Sequence, residues 1–213
     1  MSALPLKPEY RPTLRDLVVP RWRRWSIWRR FLAVGSLVLV VAVALAVVFT
    51  FQDAAYSRGG AAPFNFRYRG LYRVAPDPGF YVKVARPKVG AATDFFEVGP
   101  LHLPAYSGNI YGVLPLVAAD RIRERMTTLK GFDLQGEGRF RQGVSPAYSI
   151  SYAANWNGRP MYLREILLLP NGAGVRDGID LILATRPSDT ITTDAPVATQ
   201  GPLQLPLRSV NVG

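Results

Sequence analysis

The chain has 213 residues, with 26 Lys and Arg against 15 Asp and Glu, for a formal net charge of +11. It contains no cysteine, which excludes disulfides, thiolate metal sites, iron–sulfur clusters and cysteine nucleophiles. Mean hydropathy is only +0.06 although 48% of residues are hydrophobic, because one segment is intensely apolar and the remainder is ordinary.

Residues 1–30 form a basic tail. Lys7, Arg11, Arg15, Arg21, Arg23, Arg24, Arg29 and Arg30 face only Glu9 and Asp16, a local charge of +6. Within it lies the stretch PRWRRWSIWRRF, where Trp22, Trp25 and Trp28 recur every third residue and share a helix face. Tryptophan favours the headgroup level of a bilayer, and arginine can reach lipid phosphates. Arg21, Trp22, Arg23, Arg24, Trp25, Trp28, Arg29 and Arg30 are therefore the candidate membrane-interface residues. The alternative is generic cytoplasmic-side charge with incidental tryptophan. Pro20 suits the first turn of such a helix.

Residues 31–51, FLAVGSLVLVVAVALAVVFTF, contain no charge. As a helix they would extend roughly 31 Å, enough for a hydrocarbon core of about 30 Å. This predicts one transmembrane helix. The basic side stays in the cytoplasm, so the C-terminal region is expected outside. The apolar run exceeds a signal-peptide core and ends in Phe49-Thr50-Phe51, without a small-residue cleavage site. An uncleaved signal anchor is the expectation. The remaining 162 residues carry 18 basic and 13 acidic side chains, so a large share of the positive charge is a topology signal and does not argue for nucleic acid.

Residues 52–63 read as a linker, with Gly59-Gly60-Ala61-Ala62-Pro63. The alternation Phe64-Asn65-Phe66-Arg67-Tyr68 predicts a strand, and Pro76-Asp77-Pro78-Gly79 a turn into a second strand, Phe80–Val84. Residues 93–114 have no clear period. A helix is predicted over 116–130, with Ala119, Ile122, Met126 and Leu129 inward and Asp120, Arg121, Arg123, Glu124 and Arg125 on the solvated face. Residues 147–154 alternate again. Asn155-Trp156-Asn157-Gly158 is a hairpin turn, 161–169 the return strand and 179–185 a further strand. The stretch 186–201 reads as a loop, and 203–212 as a possible last strand.

The predicted fold class is α+β: an N-terminal transmembrane helix, then an antiparallel β-sheet domain over 64–213 with one main packed helix. In element order this domain resembles the Mog1/PsbP-like fold. The shared features are the aromatic opening at Phe64–Tyr68, the central helix, the long hairpin about Asn157-Gly158, and the Pro206-Leu207-Arg208-Ser209-Val210 ending. The resemblance implies a small non-catalytic binding or assembly factor, some members being attached to bacterial envelopes. It supplies no site residues.

Catalytic candidates are sparse. His102 is the single histidine and lies between Leu101 and Leu103, so a packed structural role is expected over a catalytic base. Asp177 and Asp180 flank a loop-to-strand junction, where a turn role is the simplest account. Gly136-Glu137-Gly138 and Gly172-Ala173-Gly174 lack the setting of a phosphate loop and read as turns or bulges. No catalytic, cofactor or metal site is expected. The eight tyrosines within 64–213, Tyr68, Tyr72, Tyr81, Tyr106, Tyr111, Tyr148, Tyr152 and Tyr162, suit either a sheet core with hydroxyls at its rim or a binding surface.

Three functions fit. The first is a membrane-tethered extracytoplasmic domain that binds a protein or envelope component. The second is an envelope enzyme using His102 or carboxylates. The third makes the basic tail the working part, docking on anionic lipid or a cytosolic partner. The expected partners are the lipid bilayer and a protein or envelope component, with no nucleic acid and no cofactor.

Overall fold

A computed structural model describes residues 26–50, 52–88, 91–172, 174–187 and 197–213, with side chains except at 29, 30, 33, 46–50, 87, 88 and 91–93. The chain divides into two units between Gln52 and Asp53.

In the first unit, helix α1 spans Ile27–Thr50. It contains no proline, and its described side chains are exposed, including Trp28, Phe31, Leu32 and the whole run from Val34 to Leu45. Over the described residues, no helix is long and apolar enough to cross a membrane.

The second unit starts at Asp53 and holds two antiparallel sheets. Strands β1 (Ala54–Arg58), β2 (Phe64–Tyr68) and β10 (Asn211–Val212) make a three-stranded sheet in the order β1-β2-β10. The second sheet has seven strands: β3 (Tyr72–Val74), β4 (Val82–Lys88), β5 (Ala91–His102), β6 (Lys130–Gln142), β7 (Ser145–Trp156), β8 (Arg159–Leu168) and β9 (Asp177–Thr185). Their order is β3-β4-β5-β9-β8-β7-β6. Helix α2 (Ile110–Thr128) packs on the β6–β7 side, and short helix α3 (Gln204–Ser209) packs on β2. The α+β expectation for the domain therefore holds.

Strand alternation splits the core in two. On one face Phe96, Val98, Ile166, Leu181 and Leu183 meet Phe64 and Phe66 of the small sheet and Leu207 of α3. On the other face Tyr152, Leu163, Leu167 and Ile182 meet Leu114 and Ala118 of α2. Each fully buried side chain of this size contributes about 1.5–3 kcal/mol.

The Asn157-Gly158 turn forms as expected. Both residues have positive φ, 49° and 77°, which matches the right-handed twist of the flanking strands.

Several expected boundaries are corrected. Residues 54–58, expected as linker, are a strand, because Tyr56 packs on Phe64 and Phe66 at 5.7 and 5.6 Å. The Pro76–Gly79 hairpin exists, but its first arm is β3 and not Phe64–Tyr68. The helix begins at Ile110, where the Asn109 side chain caps it by accepting from the Tyr111 amide at 2.9 Å. Pro115 lies inside it and withdraws only one backbone donor. The end of the chain makes α3 and a two-residue strand in place of one last strand.

Candidate functional site: an arginine-lined edge of the sheet

Of the candidate membrane-interface residues, Arg21, Trp22, Arg23, Arg24 and Trp25 lie outside the described residues. Trp28 is an exposed residue of α1, and Arg29 and Arg30 lie within that helix.

His102 is not packed, which corrects the sequence expectation. Its side chain is 65% exposed at the end of the β5–β9 pairing, opposite Asp177. Its Nδ1 stands 2.6 Å from Asp177 Oδ1, and Arg176 Nη2 stands 3.5 Å from its Nε2. The tautomer that suits both contacts donates from Nδ1 to Asp177 and turns its Nε2 lone pair toward the guanidinium. An exposed pair of this kind contributes about 0–1 kcal/mol.

The inward face of α2 also differs from expectation. Leu114, Ala118, Arg121, Ile122, Arg125 and Leu129 face the sheet, while Leu116 and Met126 are exposed. Arg125 donates from Nε and Nη2 to the two oxygens of Glu165 on β8, at 3.0 and 3.2 Å. Arg121 reaches Glu165 at 3.0 Å and Asp180 of β9 at 3.2 Å. Tyr152 of β7 donates to Glu165 at 3.2 Å. Asp180 is thus a buried partner of the helix and not a turn residue. Burial, and then the charge of Glu165, push Asp180 well above the usual carboxylate range, against the pull of Arg121 and Arg125. Burial disfavours charge on Arg121 and Arg125, but their acidic neighbours outweigh it and raise both. Asp180 Oδ1 is buried without a hydrogen-bond partner.

A second buried cluster lies on the same face. Glu97 of β5 accepts from the Asp77 amide at 2.7 Å, and Lys83 of β4 bonds Asp77 at 2.7 Å. Lys83 also stands 3.3 Å from Glu97 Oε2, an ion pair that lacks hydrogen-bond alignment. Burial raises Glu97 despite the Asp77 amide and Lys83. The carboxylates Glu165, Asp180 and Glu97 are buried, while Asp77 and Arg121 remain partly exposed; the two clusters tie strands and helix together. Among the described residues, no group of three or more His, Asp or Glu could hold a metal ion.

An open surface lies at β6, which among the described residues is an edge strand pairing with β7 alone. Gly136 and Gly138, with Ser149, Ser151, Phe140 and Arg164, form a shallow trough of about 220 Å³. Arg164 donates to Ser149 Oγ at 2.9 Å and lies 5.3 Å from the Phe140 ring. Beside it, Tyr111, Arg139, Phe140 and Arg141 line a second hollow of about 450 Å³. The Arg141 guanidinium stands 5.4 Å from the Tyr111 ring. This chemistry suits anionic and aromatic-contacting ligands. Sequence reasoning took Gly136-Glu137-Gly138 as a turn or bulge. The signal it missed is the period-two series Gly136, Gly138, Phe140 against Glu137, Arg139, Arg141.

The tyrosines differ in burial. Tyr152 and Tyr148 are buried in the core, Tyr72 is exposed, and Tyr111 borders the hollow at β6.

No protein-family model matches the chain, and no curated protein matches it. Solved structures do. LpqN of Mycobacterium tuberculosis, described as involved in cell envelope biogenesis, is 10% identical with a TM-score of 0.51; the match covers 76% of this chain and 91% of that one. Cyanobacterial PsbP from Synechocystis is 12% identical with a TM-score of 0.47, covering 76% of this chain and 93% of its own. The Saccharomyces cerevisiae Ran-binding protein Mog1p is 10% identical at 0.46, covering 75% and 95%. The domain has the Mog1/PsbP-like fold. At these identities the likeness concerns architecture alone.

Proposed function

We propose that the chain is a single-pass membrane protein whose extracytoplasmic α+β domain binds or assembles with a protein or envelope component and catalyses no reaction. The observation that carries the binding role is the exposed β6 edge, where arginine and aromatic side chains line two open hollows. The fold shared with an envelope-biogenesis protein agrees with it. The anchor is supported by the uncharged segment 31–51, by the +6 tail before it, and by exposed apolar side chains along α1. The enzyme alternative would have to use the exposed His102–Asp177 pair or carboxylates.

Topology is tested by tagging both ends and shaving intact spheroplasts with protease. The C-terminal tag should be digested and the N-terminal tag retained in the membrane. A C-terminal tag protected until lysis would refute the orientation, and loss of the N-terminal tag from the mature protein would refute the anchor. The binding role is tested by photocrosslinkers placed over the domain in cells. Failure of every position to recover a specific partner would count against it.

A further inference from the structure

We propose that residues 136–142 of β6 dock an extended segment of a partner protein, acidic on one face and apolar on the other, which adds to the sheet as an eighth strand. This rests on the binding role proposed above and names its site and the chemistry of its partner.

The two edges of the seven-stranded sheet differ. β3 offers three residues, too few to template a partner, whereas β6 has thirteen. Register irregularities lie between Lys130 and Asp133 and between Leu134 and Gly136. From Gly136 to Gln142 the pairing with β7 is continuous, so the outer side of this stretch presents a regular row of backbone donors and acceptors. Its length, roughly 24 Å, suits a partner segment of about seven residues.

The side chains select the partner. Arg139 and Arg141 lie on the α2 side of the sheet, since Arg139 stands opposite Tyr148 of that core. Among the described residues neither takes part in an ion pair. Glu137 shares this face; burial first, and then the Glu137 charge, raise Tyr148. On the other face, a Cβ built at Gly136 or Gly138 meets nothing within 4 Å. Side chains from an added strand can lie over these glycines, against Phe140. Carboxylates would then face Arg139 and Arg141 while apolar groups fill the trough. The same arginines discourage pairing with a neutral or basic strand.

A second copy of this chain fits less well. The domain is itself basic, with 18 cations against 13 anions. Antiparallel pairing centred on Phe140 sets Arg139 against Arg141. Centring on Gly138 pairs Glu137 with Arg139 but runs into the register irregularity between Leu134 and Gly136.

The test uses the full chain in detergent and a fluorescent, terminally blocked ten-residue peptide alternating Glu and Val. Fluorescence anisotropy should show saturable binding. Arg139→Glu with Arg141→Glu should weaken it at least about tenfold, as for paired charges at an interface. Gly138→Phe fills the trough from within; it should melt like the parent and also lose binding. A peptide alternating Glu and Pro has the same charge but no donors at the prolines, and should bind at least about tenfold more weakly. Equal binding of the two peptides would reduce the site to charge alone and overturn strand addition. Binding unchanged by the arginine reversals would overturn the site. A dimer that these reversals dissociate would make a second copy the occupant and overturn the acidic partner. A partner crosslinked in cells away from β6, with no peptide binding, would overturn the edge while leaving the binding role standing.

Discussion

On one side of the seven-stranded sheet, Phe96, Val98, Leu181 and Leu183 meet Phe64, Phe66 and Leu207 in an apolar cluster, with the buried polar side chains Ser145 and Thr185 also on this face. On the other side α2 reaches the same strands partly through Arg121 and Arg125, which land on Glu165 and Asp180. The sheet thus has one face held by the hydrophobic effect, which is non-directional, and one held partly by charge pairs, which have geometry. A buried pair gains little over a well-packed apolar substitute, because desolvation offsets its attraction. Its effect is to fix where α2 sits. A helix with Leu114 and Ala118 as its fully buried contacts could slide on an apolar surface, whereas one whose guanidiniums must meet Glu165 cannot.

This contrast can be broken from either side. Glu165→Leu leaves the partly buried Arg125 without its carboxylate and Arg121 with Asp180 and Glu124 alone, and should cost about 3–5 kcal/mol in denaturant unfolding followed by tryptophan fluorescence. Leu181→Ala on the apolar face should cost about 2–5 kcal/mol, through lost transfer energy and a cavity. Replacing Arg121, Arg125, Glu165 and Asp180 together by apolar residues of similar volume should be neutral or stabilising by about 1–4 kcal/mol. If it proves as damaging as Glu165→Leu alone, the charges do more than position the helix.

A subtler difference is in pH dependence. Asp180 and Glu97 hold their protons more tightly folded than unfolded. Their contributions are fully present below the ordinary carboxylate pKa of about 4 and are lost as pH rises through their raised values. Urea midpoints should carry this falling component as pH rises above about 4. Asp180→Asn should flatten it, while Leu181→Ala should leave the slope unchanged. The smallest effect belongs to the solvated side of α2. Arg123 and Asp120 form a pair at 2.8 Å with both side chains largely exposed. Arg123→Ala should shift stability by less than about 0.5 kcal/mol.

The parts of the fold readable from sequence are those where local chemistry decides. The Asn157-Gly158 turn needs two positive φ angles, and the strands around it show a clean period of two. The α2 face was misread because polarity was used to choose it. Counting Arg121 and Arg125 as polar placed them outward, yet their partners Glu165 and Asp180 lie some forty to sixty residues on, beyond any local pattern. Asp180 likewise reads as a turn residue in sequence because its partner on α2 is distant. β1 was hidden because Ala54-Ala55-Tyr56-Ser57-Arg58 has one large apolar residue, and pairing with β2 makes it a strand. The β6 edge was hidden for the opposite reason. Its glycines suggested turns, whereas flanking pairing with β7 keeps the backbone extended.

The small sheet has a consequence for how the domain assembles. The β6–β7–β8 meander closes through short turns, so its contacts form between chain neighbours. The pairing of Val212 with Phe64, by contrast, joins residues separated by almost the whole domain. Such non-local closure carries the largest loop entropy and is expected late. Until Asn211 and Val212 arrive, one edge of β2 is unpaired, and Phe64 and Phe66 are only partly covered. The interval before that last closure is when a newly made chain is most open to aggregation, and a folding helper would act to greatest effect there.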